Sequence, residues 1–405
     1  VFNLPDIPRR RVALYSHDTQ GLGHIRRNLA IATALAAAEP ASEILIISGA
    51  PGAGALPLPP GTDCLTLPAL GKRADGSYQP RSLAASLGAL TELRSRIIQA
   101  ALTSFDPDLL IVDKVPWGAC GELAPALADL RSRGKARCVL GLRDVLDSPD
   151  VARREWRQQR ATEAVMLHYD AVWIYGDPST FDLVADCGLP PVVARRVTYT
   201  GYLGHRRPAT HSGPIGPLPS NPFALCLVGG GQDGLDLAAA FVQARLPDGQ
   251  SGVVLTGPYM TGEDRCVLDR SAADRPNMVV AGYVGGAEHL VAAAKSVVSM
   301  GGYNSVCELL ASGKRTLIVP RARPRAEQLV RAARLAEHGL VDLLHPDDLS
   351  PERLSTWLAT APGAAAPQRR IDLDGLGRLP GLADEILARV GVSCGGENEV
   401  VDVAV

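Results

Sequence analysis

Between Ser299 and Leu340 the chain carries three features that together could hold a phosphorylated sugar. A glycine turn, Gly301-Gly302, opens a helix that begins with Tyr303 and Asn304. A carboxylate, Glu308, follows on that helix, and the next strand ends in a Pro, Arg and Glu-Gln loop from Pro320 to Gln328. A helix start presents free N–H groups and the positive end of a dipole, which suits a diphosphate. Glu308, one or two turns further on, can accept hydrogen bonds from a ribose diol. Glu327 and Gln328 then face the same crevice from the next strand end, beside the basic residues Arg321, Arg323 and Arg325. By spacing alone, the same residues also fit an ordinary strand-turn-helix-strand unit.

A second candidate lies near the start. The strand Arg11 to Ser16 leads to Gly21-Leu22-Gly23-His24 and a helix from about Ile25 to Ala38. Gly21 and Gly23 bring backbone close to a substrate, and His24 sits at the helix start. Histidine titrates near working pH, so it suits a general base; a packing histidine beside a tight turn is the plainer alternative. Asp113 ends the strand DLLIVD. A strand-end carboxylate is placed for switch-point chemistry or for capping a turn. His17 and Asp18 are rivals nearby. Arg143-Asp144 and Lys114 also stand at strand ends, as acceptor-side residues or as salt-bridged surface.

Gly229 to Gly234 spells GxGxxG. A dinucleotide site also needs an acid at the end of the next strand to hold the ribose. That strand ends in Thr256-Gly257-Pro258, and its first-half counterpart ends in Ser48-Gly49, so NAD and FAD are disfavoured. Gly230 and Gly231 better suit the support of a diphosphate or of the acceptor side. No GK[ST] follows either turn, which excludes a P-loop. Asp372-Leu373-Asp374 lies in a glycine-rich stretch and reads as loop, so no metal site is expected.

These residues need two scaffolds. Apolar runs alternate with helical patterns in both halves: EILIIS, DLLIVD, RCVLGL and DAVWIY, then FALCLV, GVVLTG, NMVVAG, SVVSM and RTLIVP. Such runs imply parallel strands covered on both faces. The expected fold class is α/β, with two Rossmann-like domains facing each other across a cleft. The expected divisions are 1–205 for an acceptor-binding domain, 206–221 for a Pro- and Gly-rich linker, 222–392 for a nucleotide-sugar domain and 393–405 for a loose tail. GLADEILARV reads as a closing helix, and Leu83 to Leu102 as a buried amphipathic helix rather than a membrane-facing one.

At 405 residues and a net charge of -2, the chain has room for two domains and no global basic field to draw nucleic acid. The eight cysteines form no CxxC, which fits buried free thiols in a reducing cytoplasm. The opening stretch VFNLPDIPRRRVALYSH has no apolar run of signal-peptide length, and no transmembrane stretch is expected.

SMGGYNSVCELLASGKRTLIVPRARPRAEQLVRAARLAEHGL resembles the donor-site signature of GT-B glycosyltransferases of families 28 and 1, most nearly the lipid II-forming group of family 28. TQGLGHIRRNLAIATAL resembles their N-terminal glycine loop. The resemblance implies a GT-B fold and transfer of a sugar from a nucleoside diphosphate, UDP favoured over dTDP or GDP, to an acceptor hydroxyl or amine. His24 would be the base and Asp113 its orienting acid. Gly301, Gly302 and Tyr303 would cradle the diphosphate, with Gly230, Gly231, Tyr283, Asn304 and Arg321 on the donor side. Glu308 would bind ribose, and Glu327 and Gln328 the sugar. Gly21, Gly23 and Arg143 would line the acceptor side.

Retaining members carry an acid eight positions before the helix Glu; here that position is Met300, so inversion is implied. One departure stands out: a frequent Asn-Ala after the Gln is Arg331-Ala332. Metal-independent transfer to a natural product, or to a lipid-linked acceptor at the membrane surface, is the expected activity. A sugar-nucleotide epimerase and a non-catalytic binding subunit are the alternatives.

Overall fold

Every apolar run named above forms a strand. The computed structural model describes residues 9–19, 21–39, 41–73, 77–204, 219–282, 287–360 and 370–389. The first sheet contains β1 (Arg11–Ser16), β2 (Glu43–Ser48) and β3 (Thr62–Thr66). A hairpin follows, β4 (Leu70–Lys72) and β5 (Tyr78–Pro80). The first sheet then continues with β6 (Leu109–Asp113), β7 (Arg137–Arg143), β8 (Ala171–Tyr175) and β9 (Val197–Tyr199). The second sheet contains β10 (Phe223–Leu227), β11 (Ser251–Leu255), β12 (Met278–Ala281), β13 (Ser296–Ser299), β14 (Thr316–Ile318) and β15 (Asp342–Leu343).

The strand orders are β3-β2-β1-β6-β7-β8-β9 and β12-β11-β10-β13-β14-β15. All pairings within these two sheets are parallel. The order reverses between β1 and β6 in one sheet, and between β10 and β13 in the other. Ligands of open α/β sheets bind outside the strand ends at such a reversal. His24, Asp113, the 229–231 turn and Gly301-Gly302 all stand there.

Each sheet is covered on both faces, since β6, β8, β10 and β11 are buried at every position. Helix Gly23–Ala38 covers one face of the first sheet through Ile25, Ile31 and Leu35. Helices Leu87–Phe105 and Ala124–Arg133 cover the other. Helix Leu87–Phe105 starts where Ser86 Oγ accepts from Ala89 N–H, and it buries Leu90, Ile98 and Leu102. Arg94 on the same helix is fully buried and pairs with Glu122 at 2.7 Å, which explains an arginine between apolar positions.

The expected span of the second domain, up to residue 392, does not describe where residues 370–389 sit. Helix Gly375–Ala388 packs on helix Gly23–Ala38 of the first domain. Its apolar stripe, Leu376, Leu379, Ala383 and Ile386, joins the first domain's core. Arg10 pairs with Asp384 at 2.7 Å on its outer side. The Asp372 to Asp374 segment is the crossing: Asp372 N–H donates to Asp177, and Asp374 bridges to Leu203. The expected linker lies mostly, and the expected tail wholly, outside the described residues.

Candidate functional site

His24 and Asp113 meet. His24 Nδ1 lies 2.5 Å from Asp113 Oδ2, with the acid fully enclosed and the imidazole partly open to the cleft. This leaves Nε2 as the ring nitrogen not held by the carboxylate. A third residue completes the group. Arg27 Nη2 donates to both Asp113 oxygens at 2.7 and 2.6 Å, and Nε donates to Oδ1 at 3.2 Å.

Burial by itself would raise the Asp113 pKa, but the charges of Arg27 and His24 outweigh it and hold the carboxyl far below its usual range. On His24, burial lowers the pKa most. Asp113 pushes it up, Arg27 pushes it down, and the net effect is a lowered value. Arg27 was legible in the sequence, since it follows His24 by three positions and so shares its helix face.

Of the two rivals, Asp18 is engaged in local hydrogen bonds, while His17 Nδ1 is buried with no hydrogen-bond partner. Asp18 Oδ2 accepts from Ser16 Oγ at 2.5 Å and Ser48 Oγ at 2.7 Å, and its Oδ1 accepts from Ile25 N–H at 3.2 Å. It ties the strand end to the helix start. His17 is buried with its ring 4.8 Å from that of His24, and burial lowers its pKa well below the ordinary value.

On the second domain, two glycine turns interlock. Gly231, at φ 92°, leaves no room for a Cβ against the Thr256 carbonyl, 2.2 Å from where it would stand. Gly257 is similarly closed in by Gly229 and Gly230. Gly301 has φ 78°, and a Cβ there would meet Ile318 at 2.6 Å. Gly302 faces open space at the start of helix Tyr303–Ser312, and no side chain caps that start. A small cavity of about 50 Å³ beside it is lined by Gly229, Gly257, Ser305 and Glu308, with Arg26 from the first domain. Arg26 Nη2 donates to Glu308 Oε1 at 3.1 Å.

Other residues assigned to the donor lock the domains together. The Tyr303 side chain turns away from the glycine turn. It is buried, and its hydroxyl donates to the Tyr175 carbonyl at 2.8 Å. The Arg27 and Arg331 guanidiniums each lie 5.5 Å from its ring centre. Asn304 Nδ2 donates to the Gly23 carbonyl at 2.8 Å, so the two glycine loops touch through it. Gly21, at φ 69°, has open space around it.

Arg331, the departure from the family pattern, is fully buried and grips Asp144 with Nη2 at 2.7 Å and Nε at 2.8 Å. Arg325 pairs with Asp147 and Glu155 of the first domain, at 3.0 and 2.7 Å. Arg321 binds Asp233 and Glu327, at 2.8 and 3.1 Å, while Gln328 Oε1 accepts from Arg321 N–H at 3.0 Å. Glu327 is buried with its Oε2 unpartnered. The loop is thus held in shape by its own acid and amide, and Arg325 is committed to the other domain.

Arg143 ends β7 and Lys114 follows β6, and Arg143 Nε is buried with no hydrogen-bond partner. Tyr283 lies outside the described residues. Among the described residues, no group of three or more His, Cys, Asp or Glu is arranged to hold a metal. No helix among them is long and apolar enough to cross a membrane.

Residues 224–362 match the glycosyltransferase family 28 C-terminal domain. The whole chain resembles solved GT-B structures. One is a calicheamicin glycosyltransferase, at 17% identity and TM-score 0.57, covering 95% of this chain and 100% of that one. A second, at 16% identity and TM-score 0.55, is a glycosyltransferase in complex with dTDP, covering 94% of this chain and 95% of the other. A third is a protein described as a UDP-N-acetylglucosamine 2-epimerase of Listeria monocytogenes, at 14% identity and TM-score 0.58, with the same coverage. These identities establish a shared fold. Among curated proteins, none matches the chain in sequence.

Proposed function

We propose that this chain, with the GT-B fold over its length and a family 28 glycosyltransferase domain at residues 224–362, is an inverting glycosyltransferase using a nucleoside diphosphate sugar. The observation that carries the reading is the His24–Asp113–Arg27 group at the reversal point of one sheet, facing the glycine-turn helix of the other. His24 Nε2 takes the acceptor proton as the acceptor oxygen attacks the anomeric carbon. The bond to the diphosphate breaks on the opposite face, and its electrons leave on the diphosphate oxygen.

Asp113, kept ionised by Arg27, holds the proton on Nδ1 and stabilises the imidazolium. Arg27 also limits how far Asp113 can raise the His24 pKa, so the imidazole stays neutral and basic at working pH. The start of helix Tyr303–Ser312 supports the departing charge, so transfer proceeds without a metal. Glu308 serves the ribose and the Glu327-Gln328 pair the sugar. UDP is the favoured donor nucleotide; dTDP is the next, since one GT-B neighbour holds it. The acceptor is a natural product or a lipid-linked sugar. Seven free cysteines among the described residues suit a reducing compartment.

Incubation with UDP-, dTDP- and GDP-sugars, with and without an acceptor panel, tests the reading. A glycoside of inverted configuration supports it. An epimerised sugar nucleotide formed without acceptor would point to the epimerase alternative. Nucleotide binding with no product in any arm would leave the binding subunit.

A further inference from the structure

Two side chains at the start of helix Tyr303–Ser312, in the second domain, reach the His24–Asp113–Arg27 group of the first. Asn304 Nδ2 donates to the carbonyl of Gly23, the residue before His24, at 2.8 Å. Tyr303 presents its ring to Arg27, whose guanidinium carbon lies 5.5 Å from the ring centre. Arg27 in turn holds both oxygens of Asp113, and its Nη2 lies 3.0 Å from His24 Nδ1. His24 is thus approached twice from the other domain, once through its backbone neighbour and once through the arginine that fixes its acid.

Both approaches are firmly built. Arg27, Tyr303 and Asn304 are all buried. The Tyr303 hydroxyl donates to the Tyr175 carbonyl at 2.8 Å, and its ring stacks with that of Tyr202, 6.3 Å between centres and 25° between planes. A ring anchored by its hydroxyl and packed on a second ring offers the guanidinium a fixed face. Within the first domain, Leu22 provides no side-chain cap for helix Gly23–Ala38, and Asp18 Oδ1 accepts from Ile25 N–H at 3.2 Å. Asn304 adds a tie to that helix start from across the cleft.

Another cross-domain contact provides a contrast. Arg325 pairs with Asp147 and Glu155 of the first domain, and neither acid is bonded to His24, Asp113 or Arg27.

We propose that Asn304 and Tyr303 are positioning residues for His24, so that the base of one domain is set in place by the first turn of the other domain's glycine-turn helix. The proposal rests on the glycosyl-transfer reading for what His24 does once placed. Donor support and base alignment then share one helix turn, and closure of the cleft completes the reacting group.

Histidine side-chain NMR on the full chain, without substrate, reads the alignment, with the His24 signal identified by its loss in His24→Gln. The groups around the ring are Asp113, Arg27, His17 and, at the helix start, Asp18. Asn304→Ala and Tyr303→Leu change none of these charges, so a shift in the His24 signal reports its placement. In wild type the neutral ring should carry its proton on Nδ1, toward Asp113, and titrate below the ordinary value of about 6.5. Each of the two variants should mix the neutral tautomers and move the titration by roughly half a unit or more toward that ordinary value, as the ring loses cover and fixed neighbours. Tyr303→Phe keeps the ring face beside Arg27 and should behave as wild type. Arg325→Gln removes a cross-domain pair, leaves Arg331 on Asp144, and should also keep the wild-type signal. UDP, titrated by calorimetry, should bind Asn304→Ala and Tyr303→Leu within about twofold of wild type.

A wild-type tautomer and titration in both Asn304→Ala and Tyr303→Leu would overturn the proposal, whatever happens to UDP affinity. So would an equal shift in Arg325→Gln, which would make the effect one of domain contact in general. Should Tyr303→Leu fail to fold by circular dichroism, Asn304→Ala decides by itself. Transfer assays stand apart: no product from any sugar nucleotide would remove the glycosyl-transfer reading, while the NMR result still decides whether the second domain places His24.

Discussion

Arg26 of the first domain lies 3.1 Å from Glu308 of the second, and so one residue of the donor helix is held from across the cleft. Glu308 is nearly enclosed, with 8% of its side chain exposed, and it borders the cavity beside the 229–231 turn. A ribose bound there would share the carboxylate with the guanidinium.

Two variants separate these roles. Glu308→Ala should weaken the donor nucleotide by ~1–3 kcal/mol, the scale for losing a hydrogen bond to a charged group. Arg26→Ala, which removes one donor to that carboxylate and keeps the carboxylate itself, should leave that affinity unchanged or improve it. Calorimetry on both decides. Equal affinity for wild type and Glu308→Ala would remove the ribose assignment.

His24→Ala should lower turnover by about 10²–10⁴-fold, the range for a lost general base, with nucleotide affinity nearly unchanged. Asp113→Asn would carry a second penalty, since it strips the buried Arg27 of its counter-ion. Breaking one side of a buried pair costs roughly 3–5 kcal/mol of stability. Denaturant unfolding alongside steady-state rates should show the His24 variant stable and slow, and the Asp113 variant both slow and fragile.

The acid limb of the pH–rate profile should lie below the ordinary histidine value of about 6.5. His24 must be neutral to act, and its folded pKa is lowered, chiefly by burial. Activity is therefore present above that lowered value and lost as pH falls through it. Arg27→Met removes a charge that pushes the His24 pKa down, so its acid limb should move to higher pH. Arg27→Lys should move it less. A limb that stays in place in Arg27→Met would deny the arginine its tuning role.

Arg331→Asn, which restores the residue type common in the family pattern, should destabilise this chain rather than improve it. The substitution leaves Asp144 buried and unpaired, at a cost of roughly 3–5 kcal/mol. Adding Asp144→Asn should recover part of the loss. Thermal or denaturant unfolding of the two single variants and the double variant measures the coupling.

The sequence by itself determined the two parallel sheets, because runs such as LLIV and FALCLV are continuously apolar, as strands covered on both faces must be. It also placed the strand ends and glycine turns where ligands gather, and it named the His24 and Asp113 partners 89 positions apart. The resemblance to the N-terminal glycine loop implied that pairing; residue type and strand-end position alone left it open beside His17 and Asp18.

What it left open was the use each charge is put to. Tyr303, Asn304, Arg325 and Arg331 have the residue types of a donor site, yet their side chains bind the other domain. Helix Gly375–Ala388 follows the second domain in sequence and completes the core of the first. Periodicity tells which face of an element is apolar or charged, and spacing tells which residues share it. Which surface that face meets depends on how the two domains close, and only the tertiary structure decides that.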